Sequence, residues 1–284
     1  MARLAHITDI HFGGEDEAAV EAALEHVCRL APDLVVVTGD LTLNGRPREF
    51  KAAARWLARL PRPLVTTPGN HDTPYLNLPL RALTPFNRYR RWIGPTEGTG
   101  CDLPEVSVRT VNTARGGQPR LDWSKGAIDL LAVDAASRAL AAAAPGALRV
   151  LACHHPLIEA VGAPVTGGVH RGHLAAERLA SGGVDVILTG HVHNPFAVPL
   201  PFGDERTYAV GAGTLSKRLR GTPASFNLMV VGTEAVEVEA LAWSGARFEP
   251  YRTWSLPRRP LATAGPSPNR TGPEPSPAPA PREG

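Results

Sequence analysis

Five short motifs carry the chemistry this chain could perform. In order they are Asp9-Ile10-His11, Gly39-Asp40, Gly69-Asn70-His71-Asp72, His154-His155-Pro156 and Gly190-His191-Val192-His193. Asp, Asn and His are the side chains that borderline divalent metals take as ligands. Each motif alone has an ordinary explanation: Gly-Asp is usually a turn, and Gly-Asn-His-Asp could be a plain loop. Their shared setting is harder to explain that way, because every one directly follows a run that reads as a β-strand. In open α/β sheets, ligand sites form outside the carboxyl ends of the strands. The pairs Asp9/His11 and His191/His193, spaced two apart, would point their side chains to one side of a strand end. All five motifs are therefore predicted to converge on one rim and to hold metal.

The proportions of the set suit phosphate chemistry. Two divalent ions would bring four positive charges, and Asp9, Asp40 and a bridging hydroxide would remove three. The remaining ligands are neutral, so about one positive charge stays in a low-dielectric cleft to draw in an anion. Asn70 serves better there than a third carboxylate, which would cancel that charge.

The elements that must position these motifs alternate regularly at first. Leu4 to Thr8 reads as a buried strand, and Glu15 to Leu30 as a helix with Val20, Leu24, Val27 and Leu30 on one face. Asp33 to Thr38 is a continuous apolar strand of the kind buried on both faces. Arg48 to Leu60 reads as a helix and Pro63 to Thr67 as a third strand, giving a βαβαβ order with right-handed crossovers. Beyond it, a helix is expected near Leu80 to Trp92, a strand at Val106 to Asn112 and a helix at Ile128 to Ala143. Strands follow at Leu148 to Cys153 and Val184 to Thr189, with a helix near Gly172 to Ala180 between them. Phe196 to Leu200, Thr207 to Val210, Phe226 to Val231 and Val236 to Trp243 read as strands joined by turns, and so as a second, mostly antiparallel sheet.

Composition bounds the rest. The chain has 284 residues, of which 43 % are apolar and 20 % charged, enough to bury a core without staples. A net charge of +3 with no long basic run permits anionic ligands without calling for nucleic acid, and no nucleic-acid partner is expected. Cys28, Cys101 and Cys153 form no paired framework, which points to a reducing compartment. No apolar run has the length of a membrane span, and Asp9 and His11 interrupt the place where a signal peptide would need its apolar core. The reading is therefore cytoplasmic, with no membrane partner. Between Pro257 and Gly284, nine of the residues are proline. The chain divides into a domain over residues 1–256 and a disordered proline-rich tail over 257–284.

The ordered motifs resemble the signature of the calcineurin-like metallophosphoesterases over roughly Leu4 to Trp243. Within that family the chain looks most like the bacterial branch that includes cyclic-AMP phosphodiesterases (class III). Gly39-Asp40-Leu41-Thr42 leading into an Arg/Glu-rich helix, His154-His155-Pro156, and the segment from Gly213 to Gly221 carry that likeness. The resemblance implies an α/β fold of four layers, α-β-β-α, built from two mixed sheets. It implies two divalent ions (Fe, Mn, Zn or Co), one held by Asp9, His11, Asp40 and His193, the other by Asp40, Asn70, His154 and His191, with Asp40 shared. His154 rather than His155 follows the family's pattern. His71 would be catalytic rather than a ligand, protonated and placed beside the leaving oxygen. The activity implied is hydrolysis of a small phosphoester, first a diester such as a 3′,5′-cyclic nucleotide, with a phosphomonoesterase or a nuclease as alternatives. A nuclease would need an accessory segment that is not seen. A lipid-precursor pyrophosphatase of this family usually has Arg where His71 stands. A non-catalytic scaffold would typically have lost ligands that are all present here.

Other candidates are weaker. His170 and His173 lie in a glycine-rich stretch, Gly167 to Gly172, from which they could touch substrate, but they read mainly as solvated loop residues. His6 and His26 read as structural, and Arg88, Arg90 and Arg91 as an exposed helix end. Lys217, Arg218 and Arg220 could reach a phosphate or a partner chain, or could simply face water. No substrate-binding residue can be named from the sequence.

Overall fold

The computed structural model describes residues 1–118, 122–159 and 168–260. Most of the proline-rich tail (261–284) and Gly167 lie outside the described residues. The order is β1 (Arg3–Ile7), α1 (Glu17–Leu30), β2 (Leu34–Thr38), α2 (Pro47–Leu57), β3 (Leu64–Thr67), α3 (Leu78–Leu83), α4 (Asn87–Trp92), β4 (Gly100–Leu103), β5 (Val106–Thr110), α5 (Leu130–Ala141), β6 (Leu148–Ala152), α6 (Gly172–Ser181), β7 (Val186–Thr189), β8 (Phe196–Pro199), β9 (Tyr208–Gly211), β10 (Ser225–Val231), β11 (Ala235–Trp243) and β12 (Phe248–Pro257). A single 3₁₀ turn covers Asn70–Asp72.

Two six-stranded sheets result, ordered β12-β11-β10-β1-β2-β3 and β4-β5-β6-β7-β9-β8. Both are mixed: β1, β2 and β3 run parallel, as do β5, β6, β7 and β9, and the flanking strands pair antiparallel. Strand alternation supplies the layers. In β1 and β2, Ala5, Ile7, Val35 and Val37 pack under α1 and α2, whose inward faces present Val20, Leu24, Phe50 and Trp56. The opposite faces offer Leu4, Leu34 and Val36 to Val108, Leu148, Val150 and Val186 of the second sheet. The far side of that sheet is covered by α5 and α6 through Val133, Leu140, Ala176 and Leu179. Because both faces of each sheet are covered, the central strands read as unbroken apolar runs. The fold is thus the four-layer α-β-β-α sandwich that the resemblance implies.

Three expectations need correction. The last strands do not form a sheet of their own. β8 and β9 complete the second sheet, whereas β10, β11 and β12 join β1 in the first; local patterning shows that a strand exists but not which edge it pairs with. The helix expected over Leu80 to Trp92 is two helices. Pro85 has no N–H to continue the first and disfavours helical backbone at Thr84, which lies at φ −140°, ψ 55°. β4 and β12 were not foreseen. β12 is an edge strand, largely exposed and carrying Pro250, and its pairing with β11 is irregular at Ala240/Leu241, opposite that proline. Past its end, Arg258 donates to the Gly232 carbonyl and Arg259 to Asp204 and Asp185.

Candidate metal centre

The carboxyl ends of β1, β2 and β3 in one sheet and of β6 and β7 in the other lie on a common rim, and each is followed by one of the five motifs. Backbone hydrogen bonds lace these loops together. Asp9 N donates to the Gly39 carbonyl, His11 N to Asp40 and Gly190 N to His154. The loops touch so closely that two of the motif glycines have no room for a side chain. A Cβ on Gly69 would overlap Asp40, and one on Gly190 would overlap Thr8 and Asp9.

The side chains converge by a route different from the one the spacing suggested. Asp9, His11, Asp40, His191 and His193 all have positive φ, between 50° and 68°. The paired residues lie beyond the strand ends in left-handed turns, so strand alternation does not aim them. Non-glycine residues adopt this region rarely and at a cost of order 1–3 kcal/mol each. Five such residues, all buried, mark a site whose strain is maintained by its surroundings.

Four donor groups follow among the described residues: Asp9/His11/His193, Asp9/Asp40/His154, His11/Asp40/His71 and His154/His155/His191. Asp9, His11 and His193 offer atoms close enough to share one ion. His193 Nε2 lies 3.0 Å from Asp9 Oδ1 and 3.3 Å from His11 Nε2, which in turn lies 3.8 Å from Asp40 Oδ2. On the other side, His154 Nε2 is 3.3 Å from the same Asp40 Oδ2, and His154 groups with His155 and His191. Asp40 Oδ2 therefore stands between the Asp9/His11/His193 and His154/His155/His191 groups. Its Oδ1 is held by the His71 N–H at 2.8 Å. Asp9 is held likewise: Thr8 Oγ1 and the His191 N–H donate to Oδ2 at 2.7 and 2.8 Å, leaving Oδ1 for the centre.

Unpartnered atoms test whether these residues fit a metal. Among the described residues, eight buried side-chain atoms have no hydrogen-bond partner, and Asn70 Oδ1 and His154 Nε2 of the motif loops are two of them. A buried acceptor left unpaired costs free energy unless something else satisfies it, and a divalent ion does so for an amide oxygen and an imidazole nitrogen alike. His154 Nδ1 donates to the Thr38 carbonyl at 2.7 Å and His193 Nδ1 to the Arg218 carbonyl at 2.7 Å. Those bonds set the tautomer that presents Nε2 to the centre, as outer partners of metal-bound histidines commonly do. The donor set fits metal.

His155 differs from its neighbour. Its Nδ1 accepts from Thr113 Oγ1 at 2.8 Å and its Nε2 donates to the Ser124 carbonyl at 2.9 Å. Proximity places it in a donor group, but both ring nitrogens are already used.

The electrostatics agree with a site built around cations. Burial opposes ionisation of Asp9, but the charge of His193 and hydrogen bonds from His11 and His193 outweigh it and hold the carboxyl well below its ordinary range. Asp40 is held low by His154 and His71 against the same penalty. Burial also opposes charging of His154, yet Asp40 and Asp9 raise it to about 9. Burial and the neighbouring His154 push His155 down to about 3, and His191 falls well below its usual value for the same reasons.

His71 forms a donor group with His11 and Asp40, its ring 4.8 Å from that of His11. Its Nδ1 donates to the Leu43 carbonyl at 2.6 Å, and its Nε2 accepts from Arg218 at 2.9 Å. Burial, with Asp40 opposing and His11 assisting, lowers it to about 4.

Sequence reasoning passed over two supporting residues. Thr8 orients Asp9. Asp72 accepts from the backbone N–H groups of Leu41, Thr42 and Gly69 and from Thr42 Oγ1, bracing the β2 loop against the β3 loop. Thr8 adjoins the first motif and Asp72 closes the third, which was the available signal. Of the weaker candidates, Arg218 and Arg220 reach the centre, the latter donating to the His191 carbonyl at 3.0 Å. His6 is buried between the sheets against Thr38, and His26 lies on α1 beside Phe226. Exposed His170 and His173 belong to none of the donor groups among the described residues. Arg88 caps the Gly45 carbonyl, Arg90 and Arg91 are exposed, and Lys217 faces solvent. No helix among the described residues is long and apolar enough to cross a membrane.

Comparison with known proteins agrees with this geometry. The family described as calcineurin-like phosphoesterase matches residues 2–195. A glycerophosphodiester phosphodiesterase GpdQ of Enterobacter lignolyticus is 40 % identical over 81 residues, covering 24 % of this chain and 29 % of that protein. A Synechococcus protein named "Probable cyclic nucleotide phosphodiesterase" is 28 % identical over 92 residues, 29 % of this chain and 36 % of its own. The chain thus spans about a third of the length of the curated relatives it matches. Among solved structures, a purple acid phosphatase from yellow lupin superposes with a TM-score of 0.61 at 14 % identity, over 90 % of this chain and 54 % of that one. GAP50 of Plasmodium, described as the anchor in the inner membrane complex, gives 0.60 at 13 % identity, over 92 % and 90 %. These two likenesses speak for the fold alone, whereas the family match takes in the motifs from Asp9 to His193: the chain belongs to the calcineurin-like phosphoesterase family.

Proposed function

We propose that the chain is a dinuclear-metal phosphoester hydrolase, and that it acts as a phosphodiesterase on a small diester such as a 3′,5′-cyclic nucleotide. The observation that carries the reading is the single oxygen Asp40 Oδ2 standing between the Asp9/His11/His193 group and His154, with Asn70 Oδ1 buried and unpaired on the loop whose His71 N–H holds Asp40. Asp9, His11, Asp40 and His193 would hold one ion, and Asp40, Asn70, His154 and His191 the other; Fe, Mn, Zn and Co all suit these ligands. Bound there, the ions supply a water of lowered pKa and neutralise the phosphate oxygens.

The chain's own residues do the rest. Thr8 and the His191 N–H fix Asp9, the His71 N–H fixes Asp40, and the Thr38 and Arg218 carbonyls hold the rings of His154 and His193. This positioning comes before the substrate arrives, so little reorganisation is needed in the reaction. The preference for a diester rests on the branch resemblance and on the named activities of the two partial relatives. A phosphomonoesterase or nuclease on the same centre is the alternative. A scaffold role is disfavoured by the complete ligand set, although the shared fold extends to a protein described as an anchor.

The test is hydrolysis of bis(p-nitrophenyl) phosphate and p-nitrophenyl phosphate by purified protein loaded with Mn²⁺, Fe²⁺, Zn²⁺ or Co²⁺. Preference for the diester is expected. Preference for the monoester would move the assignment to a phosphatase. Absence of turnover with every ion would leave a binding protein in place of an enzyme.

A further inference from the structure

The large apolar side chains left in water are gathered around one opening. Among the described residues ten are exposed. Five of them, Tyr75, Leu76, Leu78, Leu80 and Leu83, lie on α3 and the loop before it. Tyr75 stacks on the His71 ring at 5.3 Å and 3°, which puts this segment at the metal centre. Leu219 stands between Arg218, whose carbonyl holds His193, and Arg220, which donates to the His191 carbonyl. Leu131 and Leu174 lie in the first turns of α5 and α6. Those helix starts are joined by Ile128 N donating to the His170 carbonyl and His170 N to the Gly126 carbonyl. Gly126 is so close to His155 that a Cβ on it would meet that ring. Eight of the ten thus ring the mouth of the centre. Met1 is at the amino end of β1, at the opposite pole, and Tyr251 is on the edge strand β12.

Positive charge accompanies the leucines of α3. From Thr73 to Thr96 the chain has four arginines and no carboxylate. Leu76 shares a groove with Arg46 and Arg88, and Arg90 and Arg91 are exposed on α4. Carboxylates stand elsewhere on the ring: Asp122, Asp129 and Glu159 toward the starts of α5 and α6, and Glu15 beside Ser216. The side formed by α3 and α4 is therefore both the most apolar and the most basic.

Single exposed leucines are ordinary, but eight large apolar side chains around one opening mark a contact surface. Two features decide its partner. A second copy seated on the same face would set the arginines of one chain against those of the other, and like charges brought together oppose the contact. The apolar tips also come from four separate segments, which gives a rigid partner no continuous face. A fluid lipid surface takes each tip separately, and anionic head groups attract the arginines. We propose that this rim seats the chain on an anionic lipid surface, with the leucines of α3 entering it and the arginines of α4 meeting its head groups. The expectation of no membrane partner weighed only spanning segments and a leader, and a surface contact needs neither.

The experiment is flotation of the full chain with vesicles of phosphatidylcholine, alone or mixed with phosphatidylglycerol. The mixed vesicles should carry the chain and the neutral ones should carry less of it. Raising the salt to about 1 M, where charges are screened within about 3 Å, should reduce the difference. Leu76→Ser combined with Leu83→Ser should weaken binding about tenfold, from the apolar area no longer buried. Leu76 is 69 % and Leu83 82 % exposed, so this pair should leave Tm unchanged. Arg90→Gln combined with Arg91→Gln should remove most of the preference for the anionic vesicles. Tyr251→Ser, outside the ring, should bind as wild type does. If neither kind of vesicle carries the chain, if the leucine pair has no effect, or if Tyr251→Ser costs as much, the proposal is wrong. If sedimentation shows a wild-type dimer that the leucine pair dissolves while vesicles bind nothing, the surface belongs to a second copy and the proposal is equally wrong. Flotation needs no turnover, so its result is independent of whether the metal centre hydrolyses a phosphoester.

Discussion

Replacing His154 and His155 in turn separates a ligand from its support. The two are adjacent, both are fully buried, and their rings lie 4.7 Å apart. They differ in one respect: His154 Nε2 has no partner, whereas both nitrogens of His155 are engaged. His154→Ala should remove one of the four donors of the second ion and lower metal content from two equivalents to one. His155→Ala should leave metal content at two. Its cost should appear as stability, at about 1 kcal/mol for each of the two lost hydrogen bonds plus a contribution from the cavity, about 2–4 kcal/mol in all. At this chain length that is a fall in Tm of roughly 5–12 °C. Metal content is read by mass spectrometry after dialysis against Mn²⁺, and Tm by calorimetry on metal-free protein. If His155→Ala loses an equivalent of metal as fully as His154→Ala does, hydrogen-bond saturation is no guide to ligation here, and the choice of His154 falls with it.

Further outcomes follow from the same geometry. Asp40→Ala should lose both ions, because its Oδ2 serves both groups, while His71→Ala should keep them and lose most of its turnover; equal metal loss in the two variants would contradict the roles given to them. In metal-free protein His154 is raised from 6.5 to about 9, so the stability it contributes is present below pH 6.5 and is lost as pH rises through about 9. Metal must displace that proton. Loading near pH 7.5 in weak buffer should therefore release about one proton per chain, read by pH-stat, and metal affinity should rise with pH across that window. A proton count of zero would mean that His154 is neutral without metal. Asp72→Ala should leave three buried N–H groups without an acceptor and cost about 3–6 kcal/mol in urea unfolding. A loss below about 1 kcal/mol would show that the two loops do not depend on this brace.

The layers of this protein could be read from single residues. Leu34 to Thr38 is apolar throughout because both faces of β2 are covered, and Val20, Leu24 and Val27 recur on one face of α1 because the other meets water. Such local patterns record burial, and burial places helices and central strands. They do not record pairing. Nothing in Phe226 to Val231 distinguishes an edge on β1 from an edge on β9, since either supplies the same backbone partners. β12 was missed because an exposed edge strand carrying Pro250 has little burial to leave a pattern.

The same division holds at the centre. The kinds of candidate donor and their strand-end positions were written in the order of the motifs, because Asp, Asn and His are side chains a divalent ion takes and a short turn can present one only at certain points. How the donors are aimed was a matter for the assembled structure: the left-handed turns at Asp9, His11, Asp40, His191 and His193, the saturation of His155 by Thr113 and Ser124, and the meeting of Arg218 with His71. Each of these joins residues from loops far apart in the chain. A hydrogen bond depends on distance and direction between its two groups, and the packing of two sheets sets both.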